Sequence, residues 1–434
     1  MLRDAKLGLF LAVILAGSMW FYVQHVVIGH QQAEAAIKGI PRGNLSDLYP
    51  RWLGARELLL HGRNPYSPEI TREIQVGYYG RPLDPSRPND PQDQMAFAYP
   101  LYVVFLLAPT ITLPFLLVRL AAHWLFVLLT AVSIPLWLRA MRWRTSVALT
   151  TVLVILTLGS LPMVLGIKLE QLTLLVSGMI AGCILLLVGD CLVLAGILLA
   201  FATIKPQLVF LIAAWLVAWA CGNYRQRRRF LWSFGLTMAA LFAGAELVLP
   251  GWIGHFANAI TAYRQYTGKQ VSILSILTTP AMGPFLSLLV LVALAICCWR
   301  ARRVPADHPV FILTCSLALA VTLVVIPMTS LYNQILLLPA VLLIVRHAGL
   351  LWRKDPVTRL LCIVAGLAVG WPWLAALSLD LASVLPQAAF VEKYWAAPLW
   401  SSMTIPLGVL LLIARLTALK PTRPNPSVPT IQAS

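Results

Sequence analysis

Charged residues are scarce in this sequence, and their scarcity decides the class of protein. Only 11% of the 434 residues are charged, whereas 59% are hydrophobic and the mean hydropathy is +0.81. A soluble globular domain carries about 25% charged residues. So few charges cannot cover a water-facing surface. A soluble enzyme, a disordered chain and a secreted disulfide scaffold are therefore excluded.

Acidic residues are fewer still, and the cysteines show no pairing pattern. The 16 Asp and Glu stand against 33 Lys and Arg, which gives a formal net charge of +17. In a soluble protein this excess would indicate nucleic-acid binding, but in a membrane protein Lys and Arg collect in cytoplasmic loops. We therefore expect no nucleic-acid partner. The seven cysteines lie in or beside apolar runs without C-x-x-C spacing, which argues against disulfides and a zinc site.

Long apolar runs fill most of the chain. A transmembrane helix needs about 20 predominantly apolar residues, and runs near that length recur from end to end. We predict an all-α polytopic membrane protein with about 12 transmembrane helices. The predicted helices lie at 7–28, 115–138, 146–166, 171–189, 191–204, 207–221, 231–249, 284–299, 309–327, 335–345, 359–379 and 399–418.

Basic clusters orient these helices. The arginines at 139–144 and at 225–229 are placed in the cytoplasm, because Lys and Arg of short loops stay on that side. This orientation predicts a protein of the inner (plasma) membrane with both termini in the cytoplasm. Residues 1–419 are expected to form a single transmembrane domain, and 420–434 a disordered cytoplasmic tail.

The longest polar stretch, residues 29–97, is predicted to be extracytoplasmic. Within it, 46–61 has the pattern of an amphipathic helix lying at the membrane interface. Taken alone, Asp47 is typical of an N-cap that also pairs with Arg51 one turn later. The next apolar run, 98–109, is too short to span, so we predict an interfacial or re-entrant helix there.

Polar residues also gather at the predicted outer ends of the helices. Ionisable groups within a helical bundle are costly and often functional. On spacing alone, each also fits a structural role, such as a turn or a lysine that reaches the headgroups. The candidate site residues are Asp47, Arg51, Tyr66, Tyr99, Glu170, Gln171, Lys205, Gln207, Tyr332 and Asn333.

Five short motifs containing these residues resemble, in their order, the family 87 glycosyltransferases. These are polytopic hexosyltransferases of the GT-C class, whose mycobacterial members are mannosyltransferases. The motifs are Asp47 to Tyr66, Phe97-Ala-Tyr99-Pro100, Glu170-Gln171, Ala195-Gly196 through Lys205-Pro206, and Tyr332-Asn333-Gln334.

The sequence departs from the family pattern at several positions. Leu101 replaces the second proline of a Tyr-Pro-Pro motif, Glu170 replaces a glycine and Thr173 replaces an asparagine. Tyr332 and Asn333 stand in a late loop where the family often carries histidines.

The resemblance implies a GT-C-type fold and an inverting hexosyltransferase with an extracytoplasmic active site. Its donor is a sugar, mannose in the mycobacterial members, on a polyprenyl monophosphate in the outer leaflet, and its acceptor is a glycan or glycolipid. By position, Asp47 is the catalytic base, and the other candidates bind substrate. Among these, Lys205 is the first choice for the donor phosphate, with Arg51 and Arg56 as alternatives. No cofactor is expected, and a requirement for a divalent cation is left open.

Two other functions compete with this interpretation. A secondary transporter also often has about 12 spans, but it usually shows internal repeats and a midplane site. Here no repeat is visible and the acids cluster on the outer side. The third possibility is a non-catalytic scaffold, or a glycan polymerase that uses no lipid-monophosphate donor.

Overall fold

The computed structural model describes residues 2–37, 46–84, 86–266, 271–327, 330–385 and 388–418. Within these ranges the chain forms helices, turns and connecting segments, and no β-strand. The predicted all-α class is therefore confirmed. The predicted tail, 420–434, lies outside the described residues.

The first half of the described chain contains long helices separated by much shorter ones. A π-helical segment, Tyr22–Val27, joins the first two helices into one continuous rod, and a 3-10 turn at Ala108–Thr110 follows the fifth. These helices are α1 (Leu2–Phe21), α2 (Ile28–Ile37), α3 (Tyr49–His61), α4 (Pro68–Tyr79), α5 (Val103–Leu107), α6 (Phe115–Ala140), α7 (Val147–Leu158), α8 (Leu161–Lys168), α9 (Leu172–Val188), α10 (Leu192–Ala202) and α11 (Pro206–Gly222).

The second half continues in the same way. A 3-10 segment, Leu331–Leu337, leads directly into the seventeenth helix. The helices are α12 (Tyr224–Val248), α13 (Trp252–Tyr266), α14 (Ile273–Leu277), α15 (Met282–Ala301), α16 (Pro309–Val325), α17 (Leu338–Arg346), α18 (Ala348–Lys354), α19 (Pro356–Val384), α20 (Ala388–Tyr394), α21 (Ala397–Ser402) and α22 (Ile405–Thr417).

The structure does not confirm the predicted number of membrane spans. Among the described residues, 6 helices are long and apolar enough to cross a bilayer, or up to 8 if two bent pairs each count as one span. Four more apolar helices, α9, α10, α11 and α16, have only 11 to 17 residues. All twelve predicted segments are helical, but a count of twelve spans is not confirmed, because these four fall below the length of about 20 residues that a span needs.

The outer segments form short helices that differ in detail from the prediction. The helix predicted over 46–61 begins at Tyr49 and ends at His61, and Gly62, with a φ of 66°, provides its left-handed C-cap. Its N-cap is Leu48, which makes no side-chain cap bond, so Asp47 is not the N-cap. Residues 98–109 contain only the five-residue α5 and the start of the 3-10 turn, and neither is long enough to span.

The arginines predicted to form a cytoplasmic loop at 225–229 instead occupy the first turns of α12. Arg225, Arg228 and Arg229 are exposed, whereas Arg227 is buried. Its guanidinium donates to the carbonyls of Arg302, at 2.9 Å, and Val304, at 2.7 Å. A buried charge is tolerated when it is fully hydrogen-bonded, and Arg227 therefore ties α12 to the end of α15.

Candidate functional site

Most of the predicted site residues converge on one cavity of about 720 Å³. The cavity lies between the chain before α3, the segment 93–100, the helix α13 and the beginnings of α9 and α11. Seven of the predicted residues line it: Asp47, Arg51, Tyr99, Gln171, Lys205, Gln207 and Tyr332. The remaining wall is mainly apolar and includes Met95, Ala96, Ala98, Pro100, Ile204, Pro206, Phe256, Ile260, Ile326 and Pro327.

One end of the cavity is polar and is formed by Asp47, Lys205 and Arg51. Asp47 supplies its carboxylate. Its backbone N–H donates to the carbonyl of Leu169 at 2.9 Å, which anchors the residue to the turn before α9. Its side chain accepts a hydrogen bond from the amide of Gln171 and lies 3.5 Å from the hydroxyl of Tyr78. Because Asp47 precedes α3 and is not its cap, the carboxylate is available to the cavity.

Lys205 places a positive charge beside this carboxylate. It lies at the junction of α10 and α11 and is only 5% exposed. Its ammonium donates to Gln171 Oε1 at 2.8 Å and to Thr173 Oγ1 at 2.7 Å. A lysine that snorkels to the headgroups would be exposed at its tip, so the structure contradicts that alternative.

Arg51 supplies the second cation. One guanidinium nitrogen donates to the backbone carbonyl of Asp47 at 2.7 Å, and Cζ lies 4.5 Å from the centre of the Tyr99 ring. Its Nε atom is buried and has no hydrogen-bond partner among the residues that the structure describes. A buried donor without a partner is costly, so this N–H is a natural contact for an anionic ligand.

Three helices also begin at the cavity. Gln171 is the N-cap of α9, Lys205 is the N-cap of α11, and Asp47 lies two residues before α3. The N-terminus of a helix carries a partial positive charge and unpaired N–H groups. The polar end of the cavity therefore favours an anion, and a phosphate in particular.

Burial changes the acidity of the two carboxylates in the cavity. It raises the pKa of Asp47 above the ordinary value, and the neighbouring Arg51 and Lys205 oppose this rise. The pKa of Asp93 is raised as well, again mainly by burial. A carboxylate with a raised pKa is a stronger proton acceptor once it is ionised, which suits a general base.

Three predicted residues do not line the cavity. The Tyr66 hydroxyl donates to the backbone carbonyl of Tyr99 at 2.7 Å, so it fixes that segment from behind. Glu170 is buried and pairs with Arg119 at 3.2 Å. Asn333 accepts a hydrogen bond from Thr173 at 3.0 Å. These residues support the cavity wall, whereas the sequence had placed them among the substrate contacts.

The cavity also includes residues outside the predicted site. Asp93, Tyr263 and Arg264 line it, although only their polar character marks them in the sequence. Conversely, Glu57 pairs with Arg63 at 2.8 Å and Arg56 stacks on Trp52, and neither lines the cavity. Among the described residues no group of three or more His, Cys, Asp or Glu could hold a metal ion.

The fold and the cavity together define a multi-pass membrane protein with a cation-lined polar site that opens onto an apolar wall. The chain belongs to glycosyltransferase family 87, whose family model matches residues 97–327. It is therefore a membrane-bound glycosyltransferase. No curated protein and no solved structure matches the chain.

The matched range divides the candidate site. Tyr99, Gln171, Lys205 and Gln207 lie inside it, whereas Asp47 and Arg51 precede it and Tyr332 follows it. The folded chain nevertheless brings residues from all three parts to one cavity.

Proposed function

We propose that this glycosyltransferase moves a hexose, such as mannose, from a polyprenyl-monophosphate donor to a hydroxyl of a glycan or glycolipid. The reaction inverts the anomeric centre, and Asp47 is the general base. One observation carries the proposal: the Asp47 carboxylate shares a cavity with the cations Lys205 and Arg51, and three helices begin at that cavity. The carboxylate can accept the proton of the acceptor hydroxyl, and the cations at the polar end can bind the donor phosphate.

The chemistry assigns a task to each part of the site. The acceptor oxygen attacks the anomeric carbon, the bond from that carbon to the phosphate oxygen breaks, and the proton of the acceptor passes to Asp47. The polyprenyl phosphate leaves with additional negative charge. Lys205, Arg51 and the N-terminus of α11 stabilise that charge. Tyr99, Gln207 and Tyr332 line the space that remains for the sugar.

The apolar wall suits the lipid part of the donor. Phe256 and Ile260 of α13 face the cavity, as do Ile204, Ile326 and Pro327. Moving a polyprenyl chain from the bilayer to such a surface costs little free energy, because both environments are apolar. The phosphate then remains at the polar end, where the cations lie.

Turnover with a lipid-linked sugar tests the proposal directly. The purified protein in detergent or proteoliposomes is supplied with a radiolabelled polyprenyl-phosphate hexose and a glycolipid acceptor. Transfer of label to the acceptor, with release of polyprenyl phosphate, is expected. A secondary transporter would instead accumulate a free solute in the proteoliposomes without forming a glycosidic product.

The membrane orientation is a separate prediction. We propose that 29–97 is extracytoplasmic and that the start of α12 is cytoplasmic, because Arg225, Arg228 and Arg229 are exposed basic residues. In a background without the native cysteines, Arg87→Cys should react with an impermeant thiol reagent added to intact cells. Arg228→Cys should react only after the membrane is opened. Both side chains are exposed, so access to the reagent depends on the side of the membrane. Labelling of position 228 from outside would reverse the orientation.

A further inference from the structure

Gln171 stands between the opposite charges of the cavity. Its amide oxygen accepts from the Lys205 ammonium at 2.8 Å, and its amide nitrogen donates to Asp47 Oδ2. An ammonium can only donate, so the oxygen of the amide must face Lys205. The NH₂ group must then face Asp47. Lys205 therefore fixes the direction of the Gln171 amide, and the amide fixes one oxygen of Asp47.

We propose that Gln171 is a positioning residue for the general base and does not contact the donor. The proposal rests on the proposed role of Asp47. Both polar atoms of the amide are already engaged within the protein, and the side chain is only 3% exposed. A substrate contact would have to use the second N–H or the second lone pair of an amide that is almost completely buried.

The arrangement also selects which carboxylate oxygen takes the proton. Oδ2 accepts from Gln171, and a proton on that oxygen would face another donor. Within the described part of the chain, Oδ1 has only a long contact, 3.5 Å, to the Tyr78 hydroxyl. The acceptor hydroxyl is therefore expected to transfer its proton to Oδ1.

The turn that carries Gln171 holds Asp47 by its backbone as well. The carbonyl of Leu169 accepts from the N–H of Asp47 at 2.9 Å, and Glu170 accepts from the side chain of Ser46. Glu170 has a φ of 47°, an uncommon conformation for a residue with a side chain. Three consecutive residues of this turn thus contact Ser46 and Asp47. The turn therefore holds both the backbone and the side chain of Asp47.

The pKa of Asp47 depends on the hydrogen bond from Gln171. Hydrogen bonding to the charged form of a carboxylate lowers its pKa, and the bond from Gln171 acts in this direction. Losing the bond should therefore move the acid limb of the pH–rate profile to higher pH. The other titratable or charged groups that act on Asp47, or are acted on by it, are Arg51, Lys205, Asp93, Glu170, Tyr78 and Tyr332.

The test compares Gln171→Met with Gln171→Glu. Met has a similar shape but neither donates to Asp47 nor accepts well from Lys205. We expect kcat at neutral pH to fall by about tenfold and the acid limb to move up by about one pH unit, with little change in KM for a polyprenyl-phosphate hexose. Glu keeps an acceptor for Lys205 but loses the donor to Asp47 and adds a like charge, so its acid limb should move further. Glu also preserves the volume of Gln, which keeps the test valid if the Met variant folds poorly.

Thr173→Val is the matched control. It removes the hydroxyl that accepts from Lys205 beside the Gln171 amide oxygen, and it leaves the bond between Gln171 and Asp47 in place. The acid limb of its pH–rate profile should lie at the same pH as that of the unmodified protein, even if donor binding changes.

Two outcomes would overturn the positioning role. An unchanged acid limb with a raised KM for the donor in both Gln171 variants would make Gln171 a substrate contact. Parent-like kinetics at every pH would leave it with no role. Both outcomes differ from a failure of the proposed function, in which Asp47→Asn itself would remain active.

Discussion

Asp47→Asn should lower sugar transfer by about 10²–10⁴-fold, which is the usual contribution of a general base. Asparagine has the size of aspartate and can accept a hydrogen bond through its side-chain oxygen, but it cannot take a proton at neutral pH. The backbone bond to Leu169 does not depend on the side chain, so the fold should be retained. The measurement is transfer from a polyprenyl-phosphate hexose by purified protein, with thermal stability and donor binding determined on the same sample.

The second carboxylate of the cavity provides the control for this experiment. Asp93→Asn removes a neighbouring negative charge, which slightly favours the ionised form of Asp47, and it should retain most of the activity. If Asp93→Asn is inactive and Asp47→Asn transfers sugar at nearly the parent rate, the base is Asp93. Glu57, another acid of the stretch 29–97, is paired with Arg63 outside the cavity.

The pH dependence of the unmodified protein tests the role of Asp47 independently. A base works only when it is ionised, so activity is present above its pKa and is lost as the pH falls through it. Because burial raises the pKa of Asp47, the acid limb should lie above the ordinary range of an aspartate. This limb should be absent from the residual activity of Asp47→Asn.

Lys205→Met should weaken donor binding by about tenfold or more, because a hydrogen bond to a charged partner in a buried site is worth about 1.5–3 kcal/mol. Methionine keeps most of the length of the side chain and removes the charge together with its N–H donors. The KM for the donor is expected to rise, and kcat should fall as well, because Lys205 also orients the Gln171 amide. A lipid without the sugar, such as polyprenyl phosphate, should lose affinity as an inhibitor to the same extent, since the phosphate carries the interaction.

Lys168→Met is the matched control for this prediction. Lys168 ends α8 and donates to Gln24, and it does not line the cavity. If Lys205→Met and Lys168→Met bind the donor equally well, Arg51 becomes the principal phosphate ligand, since its buried Nε has no partner in the described ranges of the chain.

The sequence could identify much of this site but not its connections. Asp47, Lys205 and Gln171 were recognisable because polar residues are conspicuous in so apolar a chain and because their motifs follow the order of a known family. The bonds among them depend on how α9, α10 and α11 pack, and no local pattern encodes that packing. Glu170 shows the same limit, since its partner Arg119 lies 51 positions earlier.

The span count shows what mean hydropathy cannot decide in such a chain. An apolar run signals a helix surrounded by nonpolar groups, and these can belong to other helices as well as to lipid. The helices α9, α11 and α16 are strongly apolar, yet most of the side chains of α16 are buried against other parts of the protein. Mean hydropathy does not distinguish the two environments, so twelve similar segments became twelve predicted spans.

A contact between α1 and α19, which are far apart in the sequence, has a consequence for biosynthesis. The Ser18 hydroxyl of α1 donates to Asp380 Oδ2 of α19 at 2.6 Å, across 362 positions of the chain, and α1 packs along α19. During translation α1 is made first, whereas α19 emerges only after every helix around the cavity has been synthesised. The partner surface of α1 must therefore stay uncovered through most of synthesis, and closure of the bundle around the cavity is a late step of assembly.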